Sequence, residues 1–348
     1  MRAIVALVEA RPETIIEDYA RVLGLAGLAD TLGDDPVALI PQAHARGWFP
    51  GEGSPPWQLD GVLGWLENRT DRKPGQTDPG RKAPVVLPVS STGGAPGSSG
   101  WIWEDVLARH GAQTASEHFR SPRSFRAEPP LAGLETALPR GLNLPAGLRD
   151  RATLFLPVPA WRRAEPVSGA VDLMSALLAP NQRKVSGLAF EEVRADIIRF
   201  ARQALPGLGV VMDAVLWGVG RRPGTRLPVA RNILLAGNDP VAVDAVASRL
   251  VGLVPDRDPW FRYCRDHGVG AVREDDITLA GRGDLMDLDF GIPDRAGSGS
   301  IMEADRFPLV DYYYRTFRRS SLLKRHARTP WGKLFDDYSV GKPAGERE

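Results

Sequence analysis

The sequence predicts an α/β fold, with a largely parallel or mixed sheet flanked by helices in two lobes and a basic helical extension at the C-terminus. Three observations carry that expectation. Short apolar, often β-branched runs alternate with amphipathic stretches; Gly/Pro-rich loops follow the ends of those runs; and 348 residues exceed a typical single domain. The α/β unit is expected over residues 1–293, with lobes near 1–150 and 151–293, and the extension over 294–348.

The elements follow in order. Residues 3–8 form an apolar run, and after Arg11-Pro12-Glu13 the residues Ile15, Ile16, Tyr19, Val22 and Leu23 recur at helical spacing, so a strand leads into a helix. Residues 36–40 read as a second strand broken at Pro41, 47–56 as a turn-rich loop, and 58–67 as a helix. The polar, Pro/Gly-punctuated stretch 68–82 is a surface loop. A strand at 84–89 enters the Gly/Ser stretch SSTGGAPGSSG at 90–100, and a short helix at 103–109 can end at Gly111. Further on come a strand at 152–158, a helix at 171–178, and a helix at 190–205 whose stripe is Val193, Ile197, Ile198 and Ala201. Residues 208–212 form a strand with Asp213 at its end. The loop WGVGRRPGTR at 217–226, a strand at 232–236 and a helix from Pro240 complete the unit.

Composition narrows the function classes. Lys and Arg number 44 against 43 Asp and Glu, a balance that gives no overall field for nucleic acid, so nucleic acid is not an expected partner. The one cysteine, Cys264, leaves no intramolecular disulfide and no iron–sulfur cluster within one chain, and is expected to be a buried or neutral thiol. The apolar run at the N-terminus reaches Glu9 too soon for a signal peptide, and no stretch of 18 apolar residues follows; the expected location is the cytoplasm.

The chemistry-bearing motifs gather at strand ends, where α/β sheets hold ligands. Asp213 is the candidate general base or metal ligand, against the alternative of a loop-forming aspartate bonded to nearby backbone. In the loop after it, Gly218, Gly220 and Gly224 would let backbone approach a ligand, and Arg221 and Arg222 would take a carboxylate or phosphate; a solvated basic turn is the alternative. In NILLAGNDPVAVDAVASRLVGL, Asp239 suits the N-cap and Pro240 the first helical position. Asp244 lies five residues on, about 140° around the helix, so the two aspartates need a third partner to form a site. Ser90, Ser91, Thr92 and Gly93 open the Gly/Ser stretch, which lacks the Lys of a Walker loop and is either an anion nest or a surface loop. The five histidines show no metal-binding spacing; His44, close to Glu52, is the one of interest.

The stretch MDAVLWGVGRRPGTRLPVARNILLAGNDPVAVDAVASRLVGL, together with HGVGAVREDDITLAG and DLMDLDFGIP, resembles the prokaryotic domain of unknown function family 362. The resemblance covers residues 3–293 and implies the α/β fold and a ligand site at the strand ends. Members of that family carry a Lys-Pro-Asn-like motif where this chain has Leu39-Ile40-Pro41-Gln42, and a Pro-Lys-x-Lys-x-His motif where it has 155–162 (FLPVPAWR). The ferredoxin-like cysteine clusters of some members are absent too, which makes this chain a divergent member by that resemblance.

The resulting expectation is a cytoplasmic protein that binds a small anionic molecule between Asp213, Arg221, Arg222, Asp239 and Asp244, with the aspartates suited to a divalent metal or a polar proton. Two alternatives stand beside it. One is a non-catalytic descendant that binds a ligand or partner; the other is an accessory protein acting through its tail. Residues 312–333 hold seven Lys/Arg, no acidic residue and several aromatic side chains, suited either to local contact with an anionic membrane surface or nucleic acid, or to a helix laid over the domain.

Overall fold

Strand β1 (Ala3–Glu9) is aliphatic and almost wholly buried, as a strand covered on both faces must be. It sits one place in from the edge of a mixed ten-stranded sheet in the computed structural model, which describes residues 2–43, 49–69, 83–90, 101–115, 121–125, 131, 142–161, 167, 169–177, 191–220, 226–287 and 319–339. The strands are β2 (Val37–Ala43), β3 (Val85–Val86), β4 (Val89–Ser90), β5 (Gln113–Thr114), β6 (Pro122–Phe125), β7 (Leu142–Pro145), β8 (Ala152–Leu156), β9 (Ala160–Trp161), β10 (Leu208–Val219), β11 (Leu227–Gly237) and β12 (Ile277–Gly281). Along the sheet the order is β12-β1-β11-β10-β8-β2-β3-β5, with β4 beside β2, β9 beside β10, and β6–β7 forming a separate ribbon. Every pairing in the large sheet is parallel except those of β11, which runs against both β1 and β10.

The helices are α1 (Ile15–Leu25), α2 (Leu28–Leu32), α3 (Pro56–Asn68), α4 (Trp101–Arg109), α5 (Gly169–Ser175), α6 (Glu191–Ala204), α7 (Pro240–Leu250), α8 (Pro259–Asp266), α9 (Arg319–His326) and α10 (Pro330–Ser339). Strand alternation assigns them to two faces. Val210, Met212 and Ala214 of β10 join the core of α5 to α8, while Val211 and Val215 join that of α1 to α4 and α10. The α/β class expected from sequence is therefore the observed one. The sheet draws on both segments proposed as lobes: β1 lies between β11 and β12, and β2 beside β8, so residue 150 marks no break in it.

Two boundaries differ from the sequence expectation, each for a physical reason. Pro41 does not break β2. Odd residues of that strand face β3 and β4, as Leu39 does in accepting from Leu87 N–H, and even residues face β8, as Pro36 does in accepting from Ala152 N–H. The N–H that Pro41 lacks thus falls in the gap where β3 ends and β4 begins. Asp213 is not at the end of its strand either. β10 continues to Val219 because β11 pairs with it as far as Leu227 and β9 adds Gly218 and Val219, so Trp217 to Val219 of the expected loop are strand.

The described part of the extension belongs to the domain. Trp331, Leu334 and Tyr338 of α10 are buried in the core of α1 to α4. No helix among the described residues is long and apolar enough to cross a membrane. Cys264 is free and buried, and burial pushes its thiol well above the ordinary range, as the inert reading requires.

The α1–α3 contact depends on a missing side chain. A Cβ on Gly61 would stand 2.6 Å from the Tyr19 Cβ, whereas one on Gly24 of α1 would meet nothing within 4 Å. Gly61→Ala is expected to cost ~1–3 kcal/mol by overpacking, and Gly24→Ala to gain up to ~1 kcal/mol from helix propensity. Urea unfolding of both variants checks the contrast; equal effects would show that the helices part at no cost.

Candidate functional site

The carboxyl ends of β2 and β8 meet the middle of β10 at one edge of the sheet, where Asp213 N–H donates to Pro157 O at 3.0 Å. Residues 49–55, which follow β2, fold back over this edge and are fixed by buried polar groups. Ser54 Oγ accepts from Gln42 N–H at 2.9 Å and donates to Leu156 O at 2.7 Å. Gln42 Nε2 donates to Glu52 O at 3.1 Å, and its Oε1 accepts from Val158 N–H at 3.3 Å. Gln58, at the start of α3, donates to Val211 O at 2.9 Å, but its Oε1 is buried without a donor. From the other side Arg226, just before β11, gives its N–H to Glu52 Oε1 at 3.1 Å.

Gly218 makes this closure possible. A Cβ there would stand 2.2 Å from Gly51 O and 3.0 Å from the Arg226 Cδ, so only glycine lets the segment lie flat on β10. Gly51 itself has φ +74° and Gly220 φ +134°, conformations that favour glycine. Gly218 and Gly220, singled out in sequence as ligand approaches, thus serve first as backbone contact and turn, and Gly224 lies outside the described residues.

Asp213 lies at the same level of β10 but faces the helices. Its Oδ2 accepts from the Tyr19 hydroxyl at 2.7 Å and from Trp57 Nε1 at 2.8 Å, and its Oδ1 from Val215 N–H at 3.0 Å. The last bond has a local cause. The β10–β11 register shifts between Ala214 and Leu216, which leaves the Val215 N–H outside the ladder, and the carboxylate two residues earlier takes it up. Across the bulge Asn232 of β11 adopts φ +57°. Burial pushes the Asp213 carboxyl up to about 6, the three donors holding it from going higher. Tyr19 is raised well above its ordinary value, by burial first and by the Asp213 charge next.

The other two aspartates are on the opposite face. Asp239 caps α7, accepting from Val241 N–H at 2.9 Å and Ala242 N–H at 3.3 Å; its second oxygen takes Ala271 N–H at 2.9 Å, and Arg202 lies 3.1 Å away. Asp244, wholly buried, accepts from Ala170 and Val171 N–H at 3.0 and 3.1 Å, so it caps α5 from a neighbouring helix. Burial pushes its carboxyl up to about 8 against those two bonds. The single site expected between Asp213, Asp239 and Asp244 is therefore not assembled, because successive side chains of β10 leave opposite faces and Asp213 leaves the one without α7. Arg221, Arg222, Ser91, Thr92, Gly93 and His44 lie outside the described residues. Ser90 ends β4, paired with Ala43. No group of three or more His, Cys, Asp or Glu suited to a metal ion occurs among the described residues.

A second cluster escapes sequence reading. His110, at the end of α4, lies 2.8 Å from Asp60 Oδ1 and 2.9 Å from Glu67 Oε2, both on α3, and Tyr338 of α10 donates to Asp60 Oδ2. The one local signal is the i, i+7 spacing of Asp60 and Glu67, which puts both carboxylates on one helix face.

The Tyr19–Asp213 bond predicts a pH-dependent mutant. The folded value of Asp213 is raised above the ordinary ~3.9, so its contribution favours the fold at low pH and is lost as pH rises through about 6. Tyr19→Phe removes a donor to the charged form and should cost ~1.5–3 kcal/mol at pH 8, with a clearly smaller loss at pH 4.5. Urea melts at the two pH values check this; an equal loss would mean that the bond does not discriminate the ionised carboxyl.

Compared with family models, with curated proteins and with solved structures, the chain matches none.

Proposed function

We propose that this chain is a cytoplasmic binder of a small anionic molecule, held at the carboxyl edge of the sheet between residues 49–55 and the start of β11. The observation that carries the reading is the convergence there of Gln42, Glu52, Ser54, Gln58 and Arg226, each at most 6 % exposed. Burying so many polar groups in one place costs stability that an apolar edge would not, and a guanidinium among them matches the bidentate geometry of a carboxylate or phosphate. The unpartnered Gln58 Oε1 adds an acceptor for a ligand N–H or O–H. The position is also the one where parallel sheets hold their ligands.

Binding, with no reaction assigned, is the form of the proposal that the geometry favours. All three bonds to Asp213 come from the protein, and Trp331 covers Trp57 above it, ring centroids 5.6 Å apart, so Asp213 reads as a structural carboxylate rather than a base that meets substrate. A shared metal on the aspartates is disfavoured by their separation onto two faces. The tail reading loses support in the same way: Leu322, Trp331, Leu334 and Tyr338 are buried, which favours a covering segment over a membrane anchor.

Thermal unfolding in a panel of inorganic phosphate, phosphate monoesters and di- and tricarboxylates tests the reading. A member present at 100 times its Kd should add ~2.7 kcal/mol, or a Tm rise of several degrees. Arg226→Gln should lose most of that rise. A panel without effect, or a rise that survives both Arg226→Gln and Glu52→Gln, would remove the edge as the binding site.

A further inference from the structure

Helix α10 is attached to the domain at two points. At its start Trp331, 4 % exposed, lies against Trp57 and donates its indole N–H to Asn232 Oδ1 at 2.8 Å. At its end Tyr338 reaches Asp60, which also meets His110 and, at 3.4 Å, Arg109. The Arg109 guanidinium stands 5.6 Å from the centre of the Tyr338 ring. The groups that face His110 are thus Asp60 and Glu67 from α3, Arg109 from its own helix and, through Asp60, Tyr338 from α10. Each imidazole nitrogen points at a carboxylate oxygen, and ionised carboxylates only accept, so with Asp60 and Glu67 both ionised the two contacts are made together by the imidazolium form of His110.

That charge bears on the clasp directly. A neutral His110 would turn a lone pair toward Asp60 or Glu67, and the carboxylate that holds Tyr338 would lose its buried counter-charge. The first point of attachment lies above the Asp213 cluster, since Trp57 is both the ring under Trp331 and a donor to Asp213. We propose that α10 is a releasable clasp: docked, it seals the Tyr19–Trp57–Asp213 cluster, and loss of the His110 proton loosens its hold on Asp60. Release would uncover the Asp213 carboxylate, beside the edge to which binding is assigned above; the clasp itself does not depend on that assignment.

The direction of the pH effect follows from the groups. Burial works against the charge on His110, but the bonds to Asp60 and Glu67 outweigh it and the folded value is raised. The hold is therefore complete below the ordinary histidine value of ~6.5 and is lost as pH rises through the raised folded value. Burial likewise works against the Asp60 carboxylate, but His110, Tyr338 and Arg109 lower it on balance, so its share is present above ~3.9 and is lost only as pH falls through the lowered folded value. The clasp should be tight between those limits and open on the alkaline side.

Hydrogen exchange of the full chain, read by mass spectrometry at pH 6 and pH 9 and corrected for intrinsic rates, tests the clasp. Protection of residues 330–339, normalised to α7, should fall about tenfold or more at the higher pH. In His110→Gln it should be low and flat, and in Tyr338→Phe, which keeps the histidine cluster but cuts its link to α10, also low and flat. Residues 56–60 should lose protection together with 330–339. Unchanged wild-type protection, or a fall of the same size in Tyr338→Phe or His110→Gln, would overturn the proposal.

Discussion

The structure turns on one buried carboxylate. β10 carries a bulge at the point where it outgrows its parallel neighbour β8, and a bulge leaves a backbone N–H without a ladder partner in the middle of a sheet. Asp213 answers that donor with one oxygen and offers the other to the two helices lying over the strand. A charge in such a place is tolerable only with its donors in position. Tyr19 and Trp57 therefore fix α1 and α3 against the sheet, and Gly61 has to be small for the two helices to meet there. Trp331 then packs on Trp57, so the register of one bulge reaches a helix more than a hundred residues away in the chain.

The faces of the sheet decide what the other aspartates can be. On the side of α5 to α8 the polar demand comes from helix N-termini, and Asp239, Asp244 and Asp258 meet it; Asp258 caps α8 as Asp239 caps α7. Asp244 is the unusual case. α5 starts at Gly169, and its first free N–H groups are satisfied by a helix from elsewhere in the fold, which locks α5 to α7 at the cost of a wholly buried carboxyl. These residues share a composition with catalytic aspartates but work on backbone donors, and nothing in their contacts is directed at a ligand.

Much of the architecture was legible in the sequence because it is written in local periodicity. The apolar runs at β1, β2, β8 and the start of β10 and the helical stripes of α1, α6 and α7 lie where the pattern places them, and Asp239-Pro240 marks a helix start through chemistry that acts over three residues. The length of β10 was not legible. Asp213 and Gly218 both argue against strand locally, and only the partners β9 and β11 override them. The separation of Asp213 from Asp244 was hidden for a related reason: which face a strand residue takes depends on the sheet as a whole, and spacing in sequence does not carry it. The cluster of Asp60, Glu67, His110 and Tyr338 lay still further out of reach, since it spans three helices and 278 positions between Asp60 and Tyr338.

The distribution of buried polarity separates scaffold from edge. Where a buried carboxylate is matched donor for acceptor, as at Asp213, Asp239 and Asp244, the fold itself accounts for the residue. The carboxyl edge is matched less completely, for Gln58 keeps an acceptor in the interior with no donor facing it. Its orientation is set by the amide N–H given to Val211 O, since turning the group over would place two oxygens together. A fold that spends glycine at Gly51 and Gly218 to bring backbone within contact there has also had the option of an apolar side chain in place of Gln58. That it retains a polar group with unfilled capacity at the strand ends is the physical reason to look for a ligand at that edge before looking at the aspartates.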